Sequence, residues 1–371
     1  MNITDYNKIP TFDEALAIVE NSKGFSHSVQ TIHDKEVHSF KYNISYQGMW
    51  DDLSDGKVNM RGLTFIDGKV VALPYPKFWN LGENIHVQDI DVSTFTIATE
   101  KVDGSLISFF KVGDELEMKT MKSVFSDTAN EAREYSMTRT DIRDFASLCL
   151  ENNISPMFEY ISDTDQGRIV IDYNKKDLIL LGARDLSNGT IYNLADFPID
   201  IPFDISTARL FNTSDEVVSY MADEGVEGVV MILNDGTMVK LKTDWYCRLH
   251  RILDKFNTKN ILEAIVTDSL DDIKSALVKN NLKEHLQTVR CVEQCFHNRF
   301  KEWLEIANKE FWKRKTNEET KKDIALSLLK KDRVLAGLVF AQYDEKDLTD
   351  TIKNIVKTEF KDRELDSFSP F

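Results

Sequence analysis

The chain has 371 residues, 42% hydrophobic and 29% charged, which suits two or three globular domains with ample core. Its net charge of −16 speaks against a protein that coats nucleic acid through a broad basic surface. No apolar run approaches the ~20 residues that cross a bilayer, and Met1-Asn2-Ile3-Thr4-Asp5 does not read as a signal peptide, so a soluble cytoplasmic protein is expected.

The charge is uneven. Residues 1–250 carry 23 Lys and Arg against 40 Asp and Glu, whereas residues 251–371 carry 23 against 22. A ligand of the first part would therefore be gripped by a local cationic site rather than by a field. The four cysteines, Cys149, Cys247, Cys291 and Cys295, suggest reduced thiols in a chain of this length. Cys291-x-x-x-Cys295-x-His297 has a metal-like look, but Val292, Phe296, Phe300, Trp303 and Ala307 mark a helix there and point to core packing.

Residues 11–22 read as an amphipathic helix capped by Thr11. Strands follow at Phe40–Ile44, Met60–Ile66 and Lys69–Leu73, the last two joined by Asp67-Gly68. Next comes Thr96-Ile97-Ala98-Thr99-Glu100, ending in Lys101-Val102-Asp103-Gly104-Ser105. By the period of two, Lys101 shares the inward face of Phe95 and Ile97, and a lysine there is costly unless it does chemistry. As an amine nucleophile it must shed a proton, which desolvation and nearby cations favour. Taken alone, Lys-x-Asp-Gly also describes a lysine beside a tight turn; its company elsewhere decides.

A second hairpin covers Leu106–Val112 and Glu115–Met121, a helical stretch covers residues 127–151, and Met157-Phe158-Glu159-Tyr160-Ile161 is an apolar strand with one carboxylate. Strands are expected at Arg168–Ile171 and Leu178–Arg184 and a helix at Ser214–Glu224. Glu227-Gly228-Val229-Val230-Met231-Ile232-Leu233 and Thr237-Met238-Val239-Lys240-Leu241-Lys242 form a hairpin. A two-residue turn would put Glu227 on the face of Lys240 and Lys242, a three-residue turn on the opposite one. Beyond residue 255 only helices are expected: one opened by Ser269, then 283–314, 318–331 and 346–361. Lys309–Arg333 is rich in Lys and Arg, as a solvated helix face or an RNA contact would be.

Lys101-x-Asp103-Gly104, Glu159, Glu227-Gly228 and Lys240-x-Lys242, in that order, resemble the covalent nucleotidyltransferase superfamily of ATP-dependent DNA and RNA ligases and mRNA-capping guanylyltransferases. Phe40-Lys41-Tyr42-Asn43, Met60-Arg61-Gly62-Leu63-Thr64-Phe65, Pro76-Lys77-Phe78-Trp79-Asn80 and Lys240–Tyr246 are similar to the RNA ligase 1 family of T-even-type phages, over roughly residues 38–250.

The resemblance implies an α+β fold: a nucleotidyltransferase domain over 1–254, including an N-terminal segment 1–90, with antiparallel sheets around an ATP cleft, then an all-helical domain over 255–371. It implies an ATP-dependent RNA ligase, with Lys101 adenylated, Glu159 and Glu227 essential carboxylates, and Lys240 and Lys242 phosphate contacts. Tyr42, Arg61, Lys77, Tyr246 and Lys119 would join the nucleotide site. Mg2+ or Mn2+ would be used, with Glu227 and Asp271 as acidic contacts. The partner would be single-stranded RNA ends, as in a cleaved tRNA anticodon loop of a phage-infected host cell. The chain departs from the family at Lys119-Thr120-Met121-Lys122-Ser123, which leaves Lys119 or Lys122 for one family lysine, and at Val102, where a glutamate is more usual. Trp79 fits core packing or nucleotide contact. DNA ligases and capping enzymes usually append an OB-fold, which the helical tail does not resemble.

Overall fold

Hairpin turns and strand alternation shape the first two-thirds of the chain, and helical periodicity shapes the rest. The computed structural model describes residues 4–43, 45–46, 48–163, 170–254, 256–280 and 282–368. Two compact units emerge, Met1–Arg248 and Leu249–Phe371.

In the first unit, α1 (Thr4–Asn7) precedes α2 (Phe12–Asn21), which starts where expected: Thr11 accepts from the Glu14 amide and the Glu14 carboxylate accepts from the Thr11 amide. Strands β1 (Phe25–Ile32), β2 (Lys35–Tyr42), β3 (Arg61–Ile66) and β4 (Lys69–Ala72) make an antiparallel sheet in that order. β1 escapes the sequence reading because Ser26, His27, Ser28, Gln30 and Thr31 dilute Phe25, Val29 and Ile32 below a visible alternation.

Two five-stranded sheets follow. One takes β5 (Trp79–Asn80), β6 (Phe95–Glu100), β12 (Leu210–Phe211), β13 (Gly228–Leu233) and β14 (Met238–Lys242) in the order β12-β6-β13-β14-β5; only β14 and β5 run parallel. The other takes β7 (Ser105–Val112), β8 (Glu115–Thr120), β9 (Ile154–Ile161), β10 (Asp177–Asp185) and β11 (Ile191–Tyr192) in the order β11-β10-β9-β7-β8. Residues 101–104 are thus a crossover from one sheet to the other. Gly104 is required there, because a Cβ would lie 2.4 Å from the Tyr160 carbonyl oxygen of β9.

Helices α3 (Asp127–Met137) and α4 (Thr140–Glu151) cover the second sheet, packing Ile142, Phe145 and Cys149 on Ile107, Phe158 and Leu178. They replace the single helix expected over 127–151. The Thr138 hydroxyl donates back to the Tyr135 carbonyl at 2.7 Å, and the Arg139 guanidinium turns to Asp141 at 2.7 Å, so the ladder restarts. Helix α5 (Ser214–Met221) closes against β12 and β13. The strand expected at 168–171 is absent at Val170 and Ile171, which are loop residues; Arg168 and Ile169 lie outside the described residues.

Helix α6 (Asp244–Asp254) leads from the first unit into the second. The second unit contains α7 (Thr258–Val266), α8 (Leu270–Lys279), α9 (Lys283–Thr316), α10 (Lys321–Ser327), α11 (Arg333–Tyr343) and α12 (Thr349–Phe360). Leu262, Ile265, Cys291, Val292, Phe296, Ile352 and Val356 share its core. Ser269 precedes α8 without capping it by its side chain, and its hydroxyl lies 2.9 Å from that of Thr267 instead. α7 and α11 are additions to the expected set. In α11, Val334-Leu335-Ala336-Gly337-Leu338-Val339-Phe340-Ala341 lacks the polar face that makes periodicity readable. No helix among the described residues is long and apolar enough to cross a membrane.

Candidate active site

Residues from both five-stranded sheets, with Arg61 from β3, line a cleft of about 480 Å3. That is the size of a small-molecule site. Strand β6 ends in it, so the crossover sets Lys101 on its wall while the Lys101 amide donates to the Gly228 carbonyl at 2.9 Å.

The Lys101 ammonium donates to Glu227 Oε2 at 2.8 Å, and Lys242 Nζ lies 2.9 Å from Glu227 Oε1. Glu227 is buried and its carboxylate joins two lysines from different strand ends. Strand alternation does not account for this. The hairpin closes with three residues, Asn234–Gly236, and pairs Val230 with Lys240 and Gly228 with Lys242, the register in which regular alternation would turn Glu227 away. Glu227 stands just before β13, outside the paired strand, and the Gly228 that follows has a φ of +150° and a Cβ position 1.9 Å from the Leu241 carbonyl oxygen, a conformation and a close approach that only glycine allows.

Asp103, two residues past Lys101, is 3% exposed yet fully engaged. One oxygen accepts the amides of Val170 and Ile171, both at 2.7 Å; the other accepts the Tyr246 hydroxyl at 2.7 Å. Burial raises its pKa against the pull of these donors. Tyr246 is therefore buried beneath the crossover, with Lys242 Nζ 4.8 Å from its ring centre, and is absent from the cleft lining. Tyr246→Phe is expected to leave Asp103 one donor short and to cost about 1–3 kcal/mol. Denaturant unfolding tests this, and an unchanged midpoint would show that the bond does not support the fold.

Glu159 of β9 lies in the cleft lining, 9% exposed, with its pKa pushed up to about 7 by burial; the Lys101 charge opposes that rise and the Glu227 charge adds to it. Lys240 is pulled down to about 7, first by burial and then by the cations Lys77, Arg61 and Lys101. It sits 4.7 Å above the Phe78 ring. The site thus concentrates positive charge in a chain that is acidic elsewhere.

The other expected residues are distributed around this centre. Arg61 lines the cleft and donates to the Tyr75 carbonyl at 3.4 Å. Lys77 lies behind the lining, 3.6 Å from Glu83 and over the rings of Tyr42 and Trp79 at 5.9 and 5.4 Å. Trp79 is 2% exposed and belongs to the core. Lys119 is 1% exposed, donating to the Gly62 carbonyl and the Thr64 hydroxyl at 3.1 and 2.9 Å; burial and Lys41 lower its pKa to about 7. It is Lys122 that lines the cleft. Asp271 stands exposed in the first turn of α8 in the helical unit, 3.9 Å from Lys274.

Sequence reasoning missed the apolar wall of Phe78, Val230, Ile232 and Met238. β13 reads as a continuous apolar run, a pattern that does not say which of its residues border a cavity. Sequence reasoning also missed the grip of the 170–171 amides on Asp103, for which no local pattern exists.

A family model described as RNA ligase matches residues 59–246, just over half of the chain. A Thermovibrio ammonificans protein provisionally named an RNA ligase is 26% identical over 288 residues, 74% of this chain and 73% of that protein. RNA ligase 1 of bacteriophage TS2126 is 25% identical over 238 residues, 60% of this chain and 59% of that protein. Among solved structures, a provisionally named ATP-dependent DNA ligase from Aquifex aeolicus superposes with a TM-score of 0.44 at 13% identity, covering 79% of this chain and 80% of its own. The matched segment runs from just before Arg61 to Tyr246 and so contains Lys101, Glu159, Glu227, Lys240 and Lys242: the chain belongs to the RNA ligase family.

Proposed function

We propose that the chain joins RNA 5′-phosphate and 3′-hydroxyl ends at the expense of ATP, with Lys101 carrying AMP between steps. The observation that carries this reading is Lys101 on the wall of a nucleotide-sized cleft, its ammonium held by the buried Glu227, which also pairs with Lys242. Lys101 Nζ attacks the α-phosphorus of ATP; a P–N bond forms, the α–β P–O bond breaks and pyrophosphate leaves. Glu227 Oε2, at 2.8 Å, is placed to take the proton that Nζ must lose. An oxygen of the RNA 5′-phosphate then attacks the same phosphorus and releases the lysine amine. Finally the 3′-hydroxyl attacks the activated 5′-phosphorus, the phosphodiester forms and AMP leaves.

Lys240, Lys242 and Arg61 hold phosphate charge as it develops, and Glu159 faces the nucleotide as a hydrogen-bonding carboxyl. The wall of Phe78, Val230, Ile232 and Met238 suits an adenine face. Among the described residues no group of three or more His, Cys, Asp or Glu stands ready to cage a metal ion, and both Glu227 oxygens already meet lysines. That donor set fits Mg2+ or Mn2+ held mainly by nucleotide phosphates with Glu227 as a carboxylate partner, and such an ion would neutralise the phosphates under attack. The physiological substrate we infer is a broken tRNA anticodon loop.

Incubation with α-labelled ATP or GTP in the absence of RNA tests the central step. Label retained on the protein from ATP is expected; label from GTP alone would point to capping chemistry instead. Sealing of a nicked anticodon loop in preference to an unstructured strand is expected under the tRNA reading, and equal use of both would remove it.

A further inference from the structure

The loop that follows β8 presents an aromatic ring to solvent beside the cleft, and nothing in the adenylylation chemistry uses it. Phe125 is 56% exposed, although it lies between Lys122 and Ser126, which both line the cleft. Its neighbour Val124 is fully buried in a separate core cluster with Phe110 and Ile66, so the loop is anchored one residue away.

The loop is also held by hydrogen bonds on every side. The Thr120 hydroxyl donates to the Ser123 carbonyl at 3.1 Å and accepts the Ser123 amide at 3.2 Å. Gln30 of β1 accepts the Val124 amide and donates to the Ser123 hydroxyl, which in turn accepts the Phe125 amide at 3.0 Å. Arg133 of α3 donates to the Val124 carbonyl at 3.0 Å. An apolar ring left in water on a backbone this well fixed gains nothing for the fold. Contact with a flat apolar face would recover that burial.

The partner is indicated by what precedes the ring in the same loop. Lys122 is exposed, and among the described residues no carboxylate forms an ion pair with it. A cation and an aromatic face three residues apart, at the rim of a cleft that handles phosphate, match the phosphate and the base of one nucleotide. We infer that Phe125 stacks on a nucleobase of the RNA end brought to the cleft while Lys122 holds the adjoining phosphate. This rests on the ligase reading above. It makes Phe125 a residue that selects and positions RNA without touching ATP, and it predicts little preference among bases, since stacking uses the face that all bases share.

Phe125→Ala and Phe125→Trp separate this idea from the ligase reading itself. Both variants are expected to form labelled enzyme-AMP from ATP at the wild-type rate. In sealing assays with pre-adenylated donor and acceptor strands varied separately, Phe125→Ala is expected to raise the KM for one of the two strands about 5- to 50-fold, the loss of one base stack, with kcat changed far less. Phe125→Trp is expected to restore the wild-type KM. The strand affected identifies the end that occupies the rim. Unchanged KM for both strands in Phe125→Ala, or a changed oligomeric state with unchanged KM, overturns the inference. Failure of the wild-type protein to take up label from ATP would instead overturn the ligase reading.

Discussion

Lys101→Ala is expected to abolish enzyme-AMP formation, by more than about 1,000-fold, while sealing of pre-adenylated RNA stays within about tenfold of wild type. The two assays part company because the amine is bonded to phosphorus only between the first and second steps. In the third step the reacting atoms are the 3′-oxygen and the 5′-phosphorus, and the side chain then contributes only its charge beside Glu227. Removing it leaves Glu227 still paired with Lys242, 2.9 Å away, so the buried carboxylate keeps a counter-charge and the fold should hold. Lys101→Arg sharpens the test, since it preserves the ion pair but supplies no usable nucleophile. Labelled protein recovered from Lys101→Ala with ATP would mean that another side chain takes the phosphoryl group, and Lys240, with its depressed pKa, would be the first to examine.

Most of the strand framework was legible because its signals are local. Asp67-Gly68 and Gly113-Asp114 mark turns by chemistry, and the alternation on either side sets the strands they join. The lysines and carboxylates of the cleft were legible for a related reason: a charged side chain inside an apolar strand, such as Glu159 in β9, stands out against its neighbours. The geometry that brings them together was not. Register rules applied to the last hairpin left the side of Glu227 open, and the observed three-residue turn alone would have sent it the wrong way. Glu227 stands one residue outside the paired strand, next to Gly228 at positive φ, where alternation no longer governs the side chain and φ is not written in a one-dimensional pattern.

Lys119 and Lys122 show the same limit from the other side. Both belong to one motif and both are lysines at a strand end, yet alternation buries Lys119 against Gly62 and Thr64 while the turn after β8 carries Lys122 into the cleft. Tyr246 belongs here too. An aromatic at the end of a motif suggests ligand contact, but its hydroxyl is spent on Asp103, 143 residues away in sequence, a pairing that only the folded chain reveals.

ATP binding is expected to take up close to one proton through Lys240 at pH 8, and to weaken about tenfold per pH unit above neutrality. Burial together with Lys77, Arg61 and Lys101 holds this ammonium at a pKa of about 7 in the free protein, so at pH 8 about nine molecules in ten carry a neutral amine. A polyphosphate beside it reverses the balance: the ion pair favours the charged form, the pKa rises, and the missing proton is drawn from solvent. The same depression sets the sign for stability. The unfolded chain, with its lysine at the ordinary 10.5, binds more protons between about 7 and 10.5, so the cost of burying Lys240 is greatest below pH 7 and fades as the pH rises through that window. Glu159, raised to about 7 by burial, runs the other way, contributing stability below its ordinary 4.5 that is lost as the pH rises through 7. Glu159 would also gain a proton near phosphate, so the wild-type uptake alone does not isolate the lysine. Lys240→Arg does, because a guanidinium stays charged in both states. Calorimetric titration of ATP at pH 8, in buffers of different ionisation enthalpy, should show wild type taking up nearly one proton more than Lys240→Arg. Equal uptake by the two proteins would mean that Lys240 is already charged in the free cleft and that the phosphates do not depend on its titration.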